Sequence, residues 1–139
     1  MKYKNLIIEK REYVYLKRIL NISGYTGDFE TQKSLKRLLD ELKTAQIVDN
    51  DELPKDVIRL NSKVSIEAEN GWKKTLQIVI PSDRDLKNDK ISVLTPMGAA
   101  LIGYSQNDAI TWEFSKGEQK LTIVAVEQDE TYEAINIQI

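Results

Sequence analysis

The chain has 139 residues, 41% of them hydrophobic, which suffices for one compact core and not for two large separate ones. It contains no cysteine and no histidine, so thiol nucleophiles, disulfides, imidazole bases and Cys/His zinc sites are excluded, leaving carboxylates, lysines, hydroxyls and hard oxygen-liganded cations. The formal net charge of -2 argues against tight autonomous nucleic-acid binding, which needs a basic surface to displace counterions from phosphate.

The chain opens on Met1-Lys2-Tyr3-Lys4-Asn5 and reaches only Leu6-Ile7-Ile8 before turning polar. No apolar run approaches the roughly 18 residues of a membrane helix or forms a secretory h-region, so the expectation is a soluble cytoplasmic protein with no membrane partner. From about Lys10 to Asn21, Tyr13, Leu16, Ile19 and Leu20 recur at three- and four-residue spacing, which predicts an amphipathic helix with Lys17 and Arg18 toward water. Ser23-Gly24-Tyr25-Thr26-Gly27 predicts a helix stop and a reversal. A second helix is expected from about Thr31 to Gln46, with Leu35, Leu38, Leu39 and Leu42 forming a leucine seam that should face the first. At 1.5 Å per residue this second helix would span roughly 24 Å, a short arm. Residues 1–46 carry ten Lys/Arg against six Asp/Glu, so the arm is weakly basic (+4) and the remainder acidic (-6).

Residues 48–56, Val48-Asp49-Asn50-Asp51-Glu52-Leu53-Pro54-Lys55-Asp56, are acidic and broken by proline, and read as a linker between a helical hairpin at 1–47 and a second domain at 57–139. There the period becomes that of strands: Val64, Ile66 and Ala68 alternate with polar residues, Glu69-Asn70-Gly71 turns, and Trp72 to Ile80 returns. A charged loop at 81–90 leads to a short strand, Ile91-Ser92-Val93-Leu94, and then to a short helix started by Pro96 and stopped by Gly103. Ala109–Phe114 and Lys120–Val126 alternate as two further strands around a turn at Lys116-Gly117-Glu118. The tail Tyr132–Ile139 also alternates, and reads either as one more edge strand, the favoured reading, or as a strand that pairs with a partner chain. The fold class expected is α+β: a short antiparallel helical hairpin followed by an antiparallel sheet domain with one short helix. Trp72, Trp112 and Phe114 are expected to pack the core rather than to form a ligand pocket.

Ile91-Ser92-Val93-Leu94-Thr95-Pro96-Met97-Gly98-Ala99-Ala100-Leu101-Ile102-Gly103, followed by Asn107-Asp108-Ala109-Ile110-Thr111-Trp112, resembles the C-terminal domain signature of the Gre-type transcription elongation factors. Upstream, Leu53-Pro54-Lys55-Asp56-Val57-Ile58-Arg59-Leu60-Asn61-Ser62-Lys63-Val64 resembles the segment joining the two modules in the Rnk branch, whose N-terminal coiled coil is short. The resemblance implies an FKBP-like sheet domain without isomerase activity and RNA polymerase as the partner, with nucleic acid met only indirectly through the elongation complex.

It further implies that Leu94, Thr95, Pro96 and Met97 help dock the sheet domain on the polymerase near the entrance of its secondary channel. Where some Gre factors carry an acidic residue, this chain has Leu94, so the contact would be more apolar. Lys17, Arg18, Lys33 and Arg37 are candidate channel-facing cations. Asp28 and Glu30 stand where the cleavage factors carry an acidic pair at the hairpin tip. Those two carboxylates have two readings: reaching the polymerase's magnesium, or capping the second helix and complementing its dipole, which is favoured. The expectation is a non-enzymatic regulator of elongation that acts by occupying the channel and competing with longer coiled-coil factors, with no catalytic residue, resident metal or cofactor of its own. The alternative is a factor that stimulates transcript cleavage through the acidic tip.

Overall fold

The structure, a computed structural model, describes residues 2–23, 28–114 and 117–129. The reversal at 24–27, Lys116 of the expected turn and the tail 132–139 lie outside the described residues, as does the side chain of Phe114.

Two helices form the arm, α1 (Lys10–Ser23) and α2 (Phe29–Leu42), each of 14 residues. The three- and four-residue leucine spacing does what it predicts. Leu16 and Leu20 of α1 and Leu35, Leu38 and Leu42 of α2 are buried in one cluster, while Tyr13, Ile19 and Leu39 are partly buried against it. α2 ends at Leu42, short of the expected Gln46, because Gln46–Val48 forms a strand, β2, that pairs in parallel with β1 (Ile7–Glu9). Leu6, Ile7 and Ile8 are buried, and their backbone groups need partners that water cannot supply. Gln46 N–H donates to the Leu6 carbonyl at 2.8 Å, and the register continues Ile7 to Gln46, Ile8 to Ile47 and Glu9 to Val48. The arm therefore leaves and re-enters the body of the protein through a two-stranded base.

A 3-10 turn at Asn50–Glu52 leads through Pro54 to the five-stranded sheet, built from β3 (Lys63–Ala68), β4 (Lys73–Val79), β5 (Lys90–Ser92), β6 (Ala109–Phe114) and β7 (Gly117–Glu127). The order is β5-β4-β3-β7-β6, with β3/β4, β3/β7 and β6/β7 antiparallel. β5 departs from the antiparallel expectation and joins β4 in parallel. The excursion of residues 81–89, through two 3-10 turns and a left-handed Asp89 at φ 56°, carries the chain past the end of β4 before it returns in the same direction. β5 stops at Ser92 rather than Leu94, because Val93 and Leu94 already turn toward α3 (Pro96–Leu101). Val64, Ile66 and Ala68 alternate inward along β3, and a bulge between Ser65 and Ile66 against β7 helps the sheet curl over α3.

Ile58, Leu60, Val64, Ile66, Ile78, Leu101, Ile102, Leu121 and Ile123 fill the sheet side of the core, and the arm leucines belong to the same cluster. The apolar interior thus runs without interruption from sheet to arm. Trp112 packs against it, but Trp72 lies in the turn before β4 and is 38% exposed, so it is not the core residue expected; a tight turn cannot bury so large a ring. The N-terminal residues strap onto the sheet. Lys2 backbone N–H donates to Asp108 Oδ1 at 2.5 Å, Lys2 Nζ pairs with Asp56, and Tyr3 Oη donates to the other Asp56 oxygen at 2.9 Å. Burial raises the Asp56 carboxyl, but these donors outweigh it and hold the group below its ordinary range. No helix among the described residues is long and apolar enough to cross a membrane.

Candidate functional site

The corner between β5 and α3 is built by short-range hydrogen bonds that explain its sequence. Ser92 Oγ accepts from Leu94 N–H at 3.0 Å, and Thr95 Oγ1 donates to the Ser92 carbonyl at 2.7 Å and accepts from Gly98 N–H at 3.1 Å. Thr95 is the N-cap of α3, and Pro96 takes the first helical position, where its missing N–H is no loss. Leu94 and Met97 pack half-buried against the core. Thr95→Val removes both hydroxyl bonds and should cost about 1 kcal/mol in urea unfolding, the usual size of a lost cap; a change near zero would show that the corner stands without it.

Beside this corner lies a cleft of about 190 Å³ between α2, α3 and the edge strand β6. Glu30, Lys33 and Arg37 line it from the arm, and Pro96, Ala100 and Trp112 from the sheet side. Helical spacing sets the arm residues on one face, and the small alanines of α3 let α2 approach closely. Four residues expected to be functional for three different reasons, Glu30, Lys33, Arg37 and Pro96, therefore share one concavity. The charge there is mixed, and Arg37 Nε is engaged by Glu41 Oε1 at 3.1 Å, so the cleft is not a cationic funnel.

The remaining candidates are not brought to it. Lys17 and Arg18 lie on α1, with Lys17 Nζ over the Tyr13 ring at 5.9 Å from its centroid, and Leu94 and Met97 face the core. Asp28 is exposed at the start of α2, where its Oδ1 accepts from Thr31 N–H at 2.7 Å as the N-cap. That backbone donor holds its carboxyl below the ordinary range. Glu30 lies exposed in the first turn of α2 and caps no N–H among the described residues.

Residues 53–128 match the family model described as transcription elongation factor, GreA/GreB, C-term. The chain belongs to the GreA/GreB family. It is 36% identical over 78 residues to the regulator of nucleoside diphosphate kinase of Escherichia coli K12, a match covering 55% of this chain and 57% of that protein. It is 31% identical over 110 residues to transcription elongation factor GreA of Chloroflexus aurantiacus, covering 73% of this chain and 70% of that one. The chain thus spans a little over half the length of the first relative and about two thirds of the second. A solved structure, a prokaryotic transcription elongation factor GreA/GreB from Nitrosomonas europaea, superposes with a TM-score of 0.72 at 30% identity, covering 88% of this chain and 98% of that one. The α+β architecture and the resemblance read from the 53–64 and 91–112 segments are those of this family.

Sequence reasoning missed the cleft because it treated arm and sheet as separate modules. The signal was there in the 30, 33, 37 spacing on α2 and the Ala99-Ala100 pair on α3, but only together.

Proposed function

We propose that this GreA/GreB-family chain binds RNA polymerase at its secondary channel and regulates elongation by occupancy, without making or breaking a bond. In this reading the sheet domain (57–139) docks through the Leu94–Met97 corner, residues 48–56 join the modules, and the helical arm (1–47) enters the channel. There Lys17, Arg18, Lys33 and Arg37 meet an electronegative wall. The observation that carries the reading is arm length: 14 residues per helix give about 21 Å, shorter still than the expected span. So brief an arm would sit in the channel and displace longer coiled-coil factors without delivering carboxylates to the catalytic magnesium. The engagement of Asp28 with its own helix supports the same view.

A stalled, backtracked elongation complex tests it. The expected result is no shortening of the transcript by this protein alone and, with rising concentration, loss of the shortening caused by a longer family member. Transcript shortening that disappears in D28A/E30A would replace occupancy with cleavage stimulation. Placing charge at the corner in P96E/M97E should weaken capture of polymerase; undiminished capture would remove the corner as the contact.

A further inference from the structure

Glu12 is the one acidic residue of α1, and it points inward, 2% exposed. Its Oε2 accepts from Arg59 Nε at 2.8 Å and Nη2 at 2.5 Å, and its Oε1 accepts from Leu60 N–H at 2.8 Å. The third arm of the guanidinium, Nη1, donates to Asn50 Oδ1 at 2.7 Å, and Glu12 N–H donates to Glu9 Oε2 at 2.9 Å. The fork thereby ties together the first turn of α1, the 3-10 turn after β2 and the segment entering β3, while the Glu12 backbone N–H holds the end of β1 beside it. Other ion pairs, such as Arg37–Glu41, Lys43–Asp40 and Lys74–Asp89, lie far nearer the surface.

A buried pair of this kind recovers little more than the cost of removing two charges from water. Burial pushes the Glu12 carboxyl up, and the pull of Arg59 and of the Leu60 N–H does not fully reverse it. What the pair supplies that leucines cannot is direction. The contacts of Leu16, Leu20 and Leu38 are non-directional and tolerate sliding or rotation of the arm on its base. Rotating α1 by one residue, about 100°, would carry Glu12 out of the fork and leave both charges desolvated and unpaired.

We propose that Glu12 and Arg59 are positioning residues that set the angle at which the helical arm leaves the sheet domain. The angle matters because an arm carried at a fixed direction from a docked corner reaches the channel only in that direction, so the functional part of this inference rests on the occupancy reading above.

The absence of cysteine makes the test clean. Spin labels at Ile22→Cys on the arm and Val124→Cys on β7, both exposed positions, report the arm-to-sheet distance in the full chain. The unsubstituted pair should give one narrow distance population. The apolar double variant E12L/R59M should melt only a few degrees below the parent, from the lost acceptor of the buried Leu60 N–H, show a broadened distribution, and still capture polymerase. If its competent arm direction falls to about a tenth of the population, the concentration that half-blocks a longer factor rises about tenfold. R59K, which keeps the charge but loses the fork, should broaden the distribution as well. A distribution as narrow as the parent's in E12L/R59M would overturn the proposal. So would a double variant that melts well below the parent or fails to fold, since the pair would then be a stabilising element. A parent protein that does not capture polymerase removes the occupancy reading, while the distances still decide the positioning role.

Discussion

Arg59→Met alone should lower the unfolding free energy by about 3–5 kcal/mol, since it leaves the Glu12 carboxyl buried with no counter-charge. Against a typical total of about 5–15 kcal/mol, that loss leaves a visibly unfolded fraction at 37 °C. The effect should depend on pH, with a definite sign. In the folded parent, burial raises the Glu12 carboxyl above its ordinary 4.5, so the folded state holds this proton more tightly than the unfolded chain. Stability from this group is present below 4.5 and is lost as pH rises through the higher folded value. Removing Arg59 removes the largest opposing charge, so the folded value climbs and the decline extends further upward. Asp56 and Asp28 act in the opposite sense, being held below their ordinary 3.8, and their contributions are lost only as pH falls beneath that value. Urea midpoints from pH 4 to 8 separate the groups: R59M should weaken steadily with rising pH, and R59M/E12Q should recover most of the loss and flatten the slope. A pH-independent R59M would mean that water reaches Glu12 and that the fork matters less than its burial implies.

The same pair shows why part of this protein was legible in its sequence and part was not. The leucines of α1 and α2, the alternation of Val64, Ile66 and Ala68, and the Thr95-Pro96 helix start are local patterns, and each formed the local structure it specifies. Glu12 and Arg59 stand 47 positions apart, and a charge on an amphipathic helix is read by default as facing water. β1 and β2 are three residues each and lack two-residue alternation; Ile7–Glu9 is buried at every position, and Gln46–Val48 looks like the tail of the preceding helix. Their pairing closes a long loop, and the parallel sense of β4–β5 depends on the path of the 81–89 excursion, so nothing in a short window encodes either pairing. The candidate site divides along the same line. The corner at 94–97 was readable as a strand-to-helix turn, whereas the cleft joining Glu30, Lys33 and Arg37 to Pro96 exists only because a continuous core seats α2 against α3.

Gly98→Ala sets two of these levels against each other. By helix propensity alone, alanine inside α3 should stabilise by roughly 1 kcal/mol over glycine. The tertiary contact opposes it: a Cβ at Gly98 would lie 2.4 Å from the Ser92 carbonyl oxygen and 3.0 Å from Val93 Cα, both backbone atoms that no rotamer change can move. Relief requires α3 to lift from the end of β5, breaking the Thr95 cap and loosening Leu101 and Ala99 from the core. Overpacking of this kind costs about 1–3 kcal/mol and sometimes more, and a backbone contact this short belongs at the upper end, so the clash outweighs the propensity. G98A should therefore melt several degrees lower. It should also lose polymerase capture at temperatures where circular dichroism still shows it folded, because the displaced corner is the proposed contact. Gly71→Ala provides the contrast, since that residue has φ +91° but open space around it: it carries only backbone strain, in the β3–β4 turn at the end of β4 away from the corner, and should leave capture unchanged. If G98A matches the parent in melting and in capture, α3 is not seated against β5 as closely as the corner requires, and docking through Leu94–Met97 loses its structural basis.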